Sequence, residues 1–141
     1  MSDRNTVDTK LLLAWLVSLT ATLGALFIGE VLGREPCVLC WYQRSFMFPL
    51  SVVLGVGIWF GDTRVGRYGA ILAVLGGAIA LWHLGLYWGL IPEAPTPCSA
   101  TGPSCAGEEQ KILGFPIALM SFASFALIAT LSTLSVKGLK A

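Results

Sequence analysis

Four long apolar runs organise the chain. They cover residues 11–32, about 45–60, 69–91 and 112–136, and the second extends back through Trp41 and Tyr42. Only Glu30 interrupts the first, near its end. None of the runs carries the polar stripe of a water-facing helix, and none alternates as the strands of a closed barrel would. Crossing a bilayer core takes about 20 consecutive apolar residues per helix. The pattern therefore predicts an all-α membrane protein, a four-transmembrane-helix bundle made by a single membrane domain over residues 1–141. The helices are expected at about 11–33, 41–60, 69–91 and 112–136, with outer loops at about 33–40 and 92–111. The first run is too long for the apolar region of a secretion signal and lacks a clear A-x-A cleavage site, so it is read as a retained helix.

Composition agrees. Hydrophobic residues make up 55% of the chain and charged ones 12%, against roughly a quarter charged in a soluble domain. Nine basic and eight acidic residues form no basic stripe, which leaves nucleic-acid binding without a footing. The placement of the basic residues sets an orientation. Arg4, Lys10, Arg64, Arg67, Lys137 and Lys140 fall on one side, and Arg34, Arg44 and Lys111 on the other. Basic residues accumulate in short cytoplasmic loops, so both termini are expected in the cytoplasm. All four cysteines then lie in the outer loops, Cys37 and Cys40 in the first and Cys98 and Cys105 in the second.

Disulfides form and persist outside the cytoplasm. Three uses fit two such pairs: structural staples, a metal site, or redox exchange. C-x-x-C is a common zinc half-site, but six residues separate Cys98 from Cys105 and His83 is the only histidine. No metal site is expected. Redox exchange has local support. Pro36 precedes Cys37-Val38-Leu39-Cys40, and proline favours the first position of a helix. A helix starting there puts both sulfurs on one face, close to the positive end of its dipole, with Arg44 four residues past Cys40. A helix N-terminus and a nearby guanidinium both favour thiolate, and an arginine at that depth is costly without a partner. Snorkelling to the outer interface is the plainer alternative for Arg44.

The second pair sits in a different setting. Pro92, Pro95 and Pro97 lead into it, and Gly102, Pro103 and Gly107 fall within or after it. Such a stretch reads as an exposed loop without regular structure, able to close a disulfide and still be reached by another protein. Residues 108–111 are expected to begin a short interfacial turn before the last helix.

These features resemble the disulfide-bond formation protein B family, DsbB, with BdbC in some bacteria. The likeness rests on four helices and cysteine pairs in both outer loops. It includes the run Pro36-Cys37-Val38-Leu39-Cys40-Trp41-Tyr42-Gln43-Arg44 and the Gly114-Phe115-Pro116 lead-in to the last helix. It covers most of the chain, and C-x-x-C-x-x-x-Arg in that topological place is its specific part. The resemblance implies a bacterial cytoplasmic (inner) membrane protein that reoxidises a DsbA-like thioredoxin-fold thiol oxidase and passes two electrons to the membrane quinone pool, ubiquinone or menaquinone. By the same resemblance Cys37 and Cys40 are the quinone-proximal pair, with Cys40 the sulfur that meets the quinone. Arg44 supports the quinone site, His83 lies close to it, and Cys98 and Cys105 exchange with the partner. In well-known members a much longer segment separates the second pair.

The chemistry is consistent with it. Oxidising a dithiol releases two electrons and two protons, and a lipid-soluble two-electron acceptor can take both without a bound metal. The aromatic residues Trp41, Tyr42, Phe46, Trp82, Tyr87 and Trp88 crowd the outer side. Trp41 is the one placed beside the quinone ring, although an interfacial belt accounts for most of them. His83 lies below the outer end of its helix, where it can hydrogen-bond a quinone oxygen or a neighbouring helix. Glu30 is expected to be solvated at the interface. Small residues, Gly76, Gly77, Ala78 and Ala80 with Ala118, Ser121, Ala123 and Ser124, are expected to let the helices pack closely. Pro49 and Pro116 are expected as tolerated kinks.

Two other functions remain in play. A quinone reductase like vitamin K epoxide reductase also uses four helices and cysteine pairs, but its C-x-x-C lies near the last helix rather than before the second. A metal-binding membrane protein would use all four cysteines, and no second metal-ligand motif supports it.

Overall fold

A computed structural model of the protein describes residues 2–92 and 111–140. Helix α1 (Ser2–Leu26) runs into a π-helical turn (Phe27–Val31) and is followed by α2 (Val38–Phe60) and α3 (Val65–Tyr87). A two-stranded hairpin, β1 (Lys111–Ile112) and β2 (Phe115–Pro116), leads into α4 (Ile117–Lys140). The four expected spans are present, as Thr9–Val31, Val38–Phe60, Val65–Tyr87 and Ile117–Gly138, each long and apolar enough to cross a membrane. The protein is an all-α, multi-pass membrane protein.

The helices pack in a ring in which α1 and α3 each lie between α2 and α4. Leu50, Leu54, Phe125 and Ile128 form the centre of the core with Ala14, Ala73 and Ala80, all fully or almost fully buried. Side chains such as Trp59, Phe60, Ile71 and Val74 remain exposed, as befits helices whose outer faces meet lipid rather than water. Backbone proximity depends on small residues, since apolar burial drives no helix association inside lipid. A Cβ at Gly76 would collide with the ring of Phe125, and one at Gly57 with Val65. Gly77, Ala80 and Ala118 are buried as expected, and Ser121 and Ser124 line a cavity. Ala78 and Ala123 instead face outward.

Helix α2 ends at Phe60 as expected, whereas α3 starts and stops earlier than its apolar run, for local reasons. Gly61 adopts φ 66° after α2, and Gly89 adopts φ 73° after α3. At each, the next amide bonds five residues back, Asp62 N to Gly57 O at 2.9 Å and Leu90 N to Gly85 O at 2.9 Å. Both are Schellman caps, closed by a left-handed glycine. The first leaves only a short turn, in which Asp62 Oδ1 accepts from Arg64 N at 2.8 Å. Helix α3 therefore starts at Val65 and includes Arg67, four residues ahead of the apolar run, and it stops at Tyr87.

At the other end, residues 111–116 form a hairpin with Lys111 opposite Pro116 and Ile112 opposite Phe115. Leu113 and Gly114 make its two-residue turn, both at positive φ, as a type I′ turn requires. Pro116 thus precedes α4 and does not kink it, while Pro49 does lie inside α2. Lys111 belongs to this hairpin rather than to a turn beginning at 108, and residues 108–110 lie outside the described residues.

Candidate active site

The first cysteine pair stands at the N-terminus of α2. Cys37 is its N-cap, extended at φ −68° and ψ 170°, so helical residues begin one position after it rather than at Pro36. Its Sγ accepts the Cys40 amide at 3.4 Å, a bond that satisfies one of the unpaired amides of a first helical turn. The same turn brings Cys40 Sγ to 2.9 Å from Cys37 Sγ, both cysteines being free. Leu39 and Leu86 are buried beside them, and Ile79 and Ile91 pack against the group. Cys37 is 1% exposed and Cys40 8%.

Helix α3 adds a third group. His83 is fully buried, with Nε2 3.8 Å from Cys37 Sγ and Nδ1 2.9 Å from Gln43 Nε2. The hydrogen bond from the Cys40 thiol lowers the Cys37 thiol to about 5, burial opposes this, and His83 and the Cys40 amide reinforce it. A lowered thiol favours the thiolate, the form that reacts. The three ligand atoms of Cys37, Cys40 and His83 lie within 4.8 Å of one another. Two thiolates on one tetrahedral zinc stand about 3.8 Å apart, and these sulfurs stand 2.9 Å apart.

Arg44 lies one turn beyond Cys40 and is fixed from several sides. Its Nη2 donates to Ala25 O at 2.8 Å, and the guanidinium stands 5.4 Å from the centroid of Trp41, within cation–π range. Gly29, inside the π-helical turn, leaves room for it; a Cβ there would come within 3.2 Å of Nη2. In the π-helical turn the spacing lengthens, Leu32 N bonding Phe27 O at 3.1 Å, and turns of this kind recur at functional sites. Trp41 itself is mostly exposed.

Cys40, Gln43, Arg44 and Arg34 line one end of a cavity of about 560 Å³. Its remaining wall is largely apolar, from Leu13 on α1 to Ile28 in the π-helical turn, with Met47 and Phe48 on α2 and Met120 on α4. The stretch from Leu13 to Ile28 alone extends for ~22 Å at helical rise. Cys37, His83 and Trp41 are not among the lining residues. The structure therefore joins Cys40 and Arg44 at the cavity, and joins His83 to Cys37 on its far side. Gln43 touches both. Sequence reasoning gave Gln43 no role, and the only signal was an uncharged amide between a tyrosine and an arginine.

Ile91 and Lys111, on either side of the segment that holds the second cysteine pair, both return to this site. Ile91 packs on the dithiol cluster, and Arg34 Nη1 donates to Lys111 O at 2.8 Å. Cys98 and Cys105 lie outside the described residues. Glu30 is exposed, in keeping with interfacial solvation, as are Tyr42, Trp82 and Trp88. Lys111 Nζ stands 6.0 Å from the Tyr87 ring centroid.

Fold and site together define a multi-pass membrane protein built around a reactive dithiol at the end of one helix. The chain belongs to the DsbB family: the family model described as "Disulfide bond formation protein DsbB" matches residues 8–135. It is 56% identical over 104 residues to a probable disulfide formation protein of Metapseudomonas resinovorans, covering 74% of this chain and 72% of that protein. It is 49% identical over 84 residues to a probable disulfide formation protein of Deinococcus radiodurans, covering 60% of this chain and 55% of the other. Identity to disulfide bond formation protein C of Bacillus subtilis is 37% over 107 residues, covering 72% and 73% of the two chains. No solved structure gives a significant match. The protein is a disulfide-generating membrane oxidoreductase.

Proposed function

We propose that the protein is a quinone-linked thiol oxidase that reoxidises an extracytoplasmic, DsbA-like thioredoxin-fold thiol oxidase. The observation that carries this reading is the cavity, which meets Cys40 and Arg44 at one end and continues as an apolar slot along α1. A polar, cationic head over a long apolar wall fits a quinone ring with an isoprenoid tail, ubiquinone or menaquinone. When bound, the quinone accepts the two electrons and two protons that disulfide formation releases. Within the chain, Cys40 presents its sulfur to the cavity and Arg44 holds a positive charge beside it. Cys37 closes the disulfide with Cys40 and opens it again to the loop pair Cys98 and Cys105. Trp41 supports the Arg44 guanidinium, and His83 acts through Cys37.

Purified protein supplied with a reduced thioredoxin-fold dithiol should reduce one quinone for each disulfide formed. Thiol oxidation that proceeds without any quinone reduction would sink this proposal.

The reading places the protein in the bacterial cytoplasmic membrane with both termini in the cytoplasm, supported by six basic residues on that side against three on the other. A membrane-impermeant maleimide on intact, reduced cells should label Cys98 and Cys105, and more slowly the buried Cys37 and Cys40. Labelling that appears only after the membrane is permeabilised reverses the orientation and removes the partner from reach.

A further inference from the structure

We infer that Gln43 is a positioning residue that fixes the tautomer of His83, so that the histidine donates its Nε2 proton to the sulfur of Cys37. The inference rests on Cys37 and Cys40 being the inner redox pair, and it names what keeps Cys37 in its reactive form.

The imidazole is fully buried and held on both nitrogens. On one side, Gln43 Nε2 lies 2.9 Å from Nδ1. An amide nitrogen only donates, so Nδ1 must accept, and a neutral ring then carries its single proton on Nε2. On the other side, Nε2 lies 3.8 Å from Cys37 Sγ, and the proton points at the sulfur. That sulfur also takes the Cys40 amide at 3.4 Å. Donors on several sides stabilise a negative sulfur more than a neutral one; the Cys40 thiol contributes most to lowering the Cys37 thiol, and His83 and the Cys40 amide add to it.

The titratable groups facing Cys37 are Cys40 from its own helix and His83 from α3. Among the described residues α1 and α4 bring none to it, and the next charge along α2 is Arg44, at the cavity beyond Cys40. The opposite tautomer would reverse the chemistry. With the Gln43 amide oxygen on an Nδ1 proton, a lone pair would face Cys37, and His83 would act as a base toward the thiol. Placing a donor there instead leaves Cys37 charged and ready, since exchange proceeds by attack of a thiolate. Gln43 is well placed to keep this arrangement fixed, because it is buried and belongs to the same helix as both cysteines.

His83 is the only histidine in the chain, so the reduced, full-length protein labelled with nitrogen-15 histidine reports a single ring. At neutral pH its spectrum should show an unprotonated Nδ1 and a protonated Nε2. An Nδ1–H tautomer, or a doubly protonated ring, overturns the inference with no variant needed. In Gln43→Leu the two tautomers should mix, and Cys37 alkylation at mildly acidic pH, read by peptide mass spectrometry, should slow roughly tenfold. His83→Phe should slow it at least as much, and the double variant no more than His83→Phe alone, because Gln43 acts through His83. Additive losses, or an unchanged profile in Gln43→Leu, would assign Gln43 a packing role only. None of these readouts uses an electron acceptor. A correct tautomer without quinone reduction would therefore overturn the proposed function alone, and quinone reduction with the wrong tautomer would overturn this inference alone.

Discussion

Replacing Arg44 with alanine should lower turnover at limiting quinone by roughly ten- to a hundredfold, the scale of a lost hydrogen bond to a charged group, while the bundle stays folded. The guanidinium sits at the cavity with Cys40, bonded to the Ala25 carbonyl and stacked on Trp41. Its position is therefore set before any ligand arrives, and preorganised charge of this kind stabilises negative charge that develops only during reaction. The effect should appear in the dependence of rate on quinone concentration. Oxidation of Cys37 and Cys40 by a small soluble oxidant should be nearly unchanged. Arg44→Lys should restore little, because one ammonium cannot reproduce the planar fork that bonds Ala25 and stacks on Trp41 at once. A quinone dependence identical to that of the parent protein would reduce Arg44 to an anchor at the membrane surface.

Arg44 was visible in the sequence because its chemistry is local. It stands four residues past Cys40 on one helix, and helical spacing alone puts the two close together. The four spans were visible for a similar reason, since runs of about 20 apolar residues have few uses besides crossing a bilayer. Helix ends were harder. Hydropathy places a boundary where charge begins, whereas Gly61 and Gly89 place it by backbone conformation, and Arg64 and Arg67 turn out to flank or join α3. The hairpin that holds Pro116 depends on positive φ at Leu113, a conformation leucine rarely adopts and no pattern would suggest. The contacts of His83 were beyond reach altogether. Gln43 is 40 residues from it and Cys37 is 46, and no spacing rule relates positions on different helices. The family resemblance set His83 close to the quinone, and the structure sets it against Cys37, with Gln43 between the histidine and the cavity.

Replacing Cys105 with alanine should abolish turnover and trap a partner complex that survives non-reducing electrophoresis. The trapped species should disappear when Cys98 is replaced as well. Exchange passes through a mixed disulfide and requires access to the attacked sulfur. Cys37 and Cys40 are buried at the start of α2, out of reach of a folded partner, whereas Cys98 and Cys105 lie in a segment rich in proline and glycine. In the proposed relay the partner's thiolate would attack the Cys98 sulfur, the Cys98–Cys105 bond would break, and Cys105 would leave as a thiolate. The partner's second thiol then displaces Cys98. The loop pair, now reduced, carries two electrons that must reach the inner pair. Ile91 packs on the dithiol cluster and Lys111 is bonded to Arg34 at the cavity. Ile91 and Lys111, which flank the loop pair in sequence, thus stand close to the inner dithiol, and tethering at both ends would raise the effective concentration of the loop thiols there. Without Cys105 neither the loop disulfide nor this second exchange can form, so loss of turnover should be complete. If trapping requires Cys37 or Cys40 and ignores Cys98, the relay runs the other way and the loop pair is a structural staple.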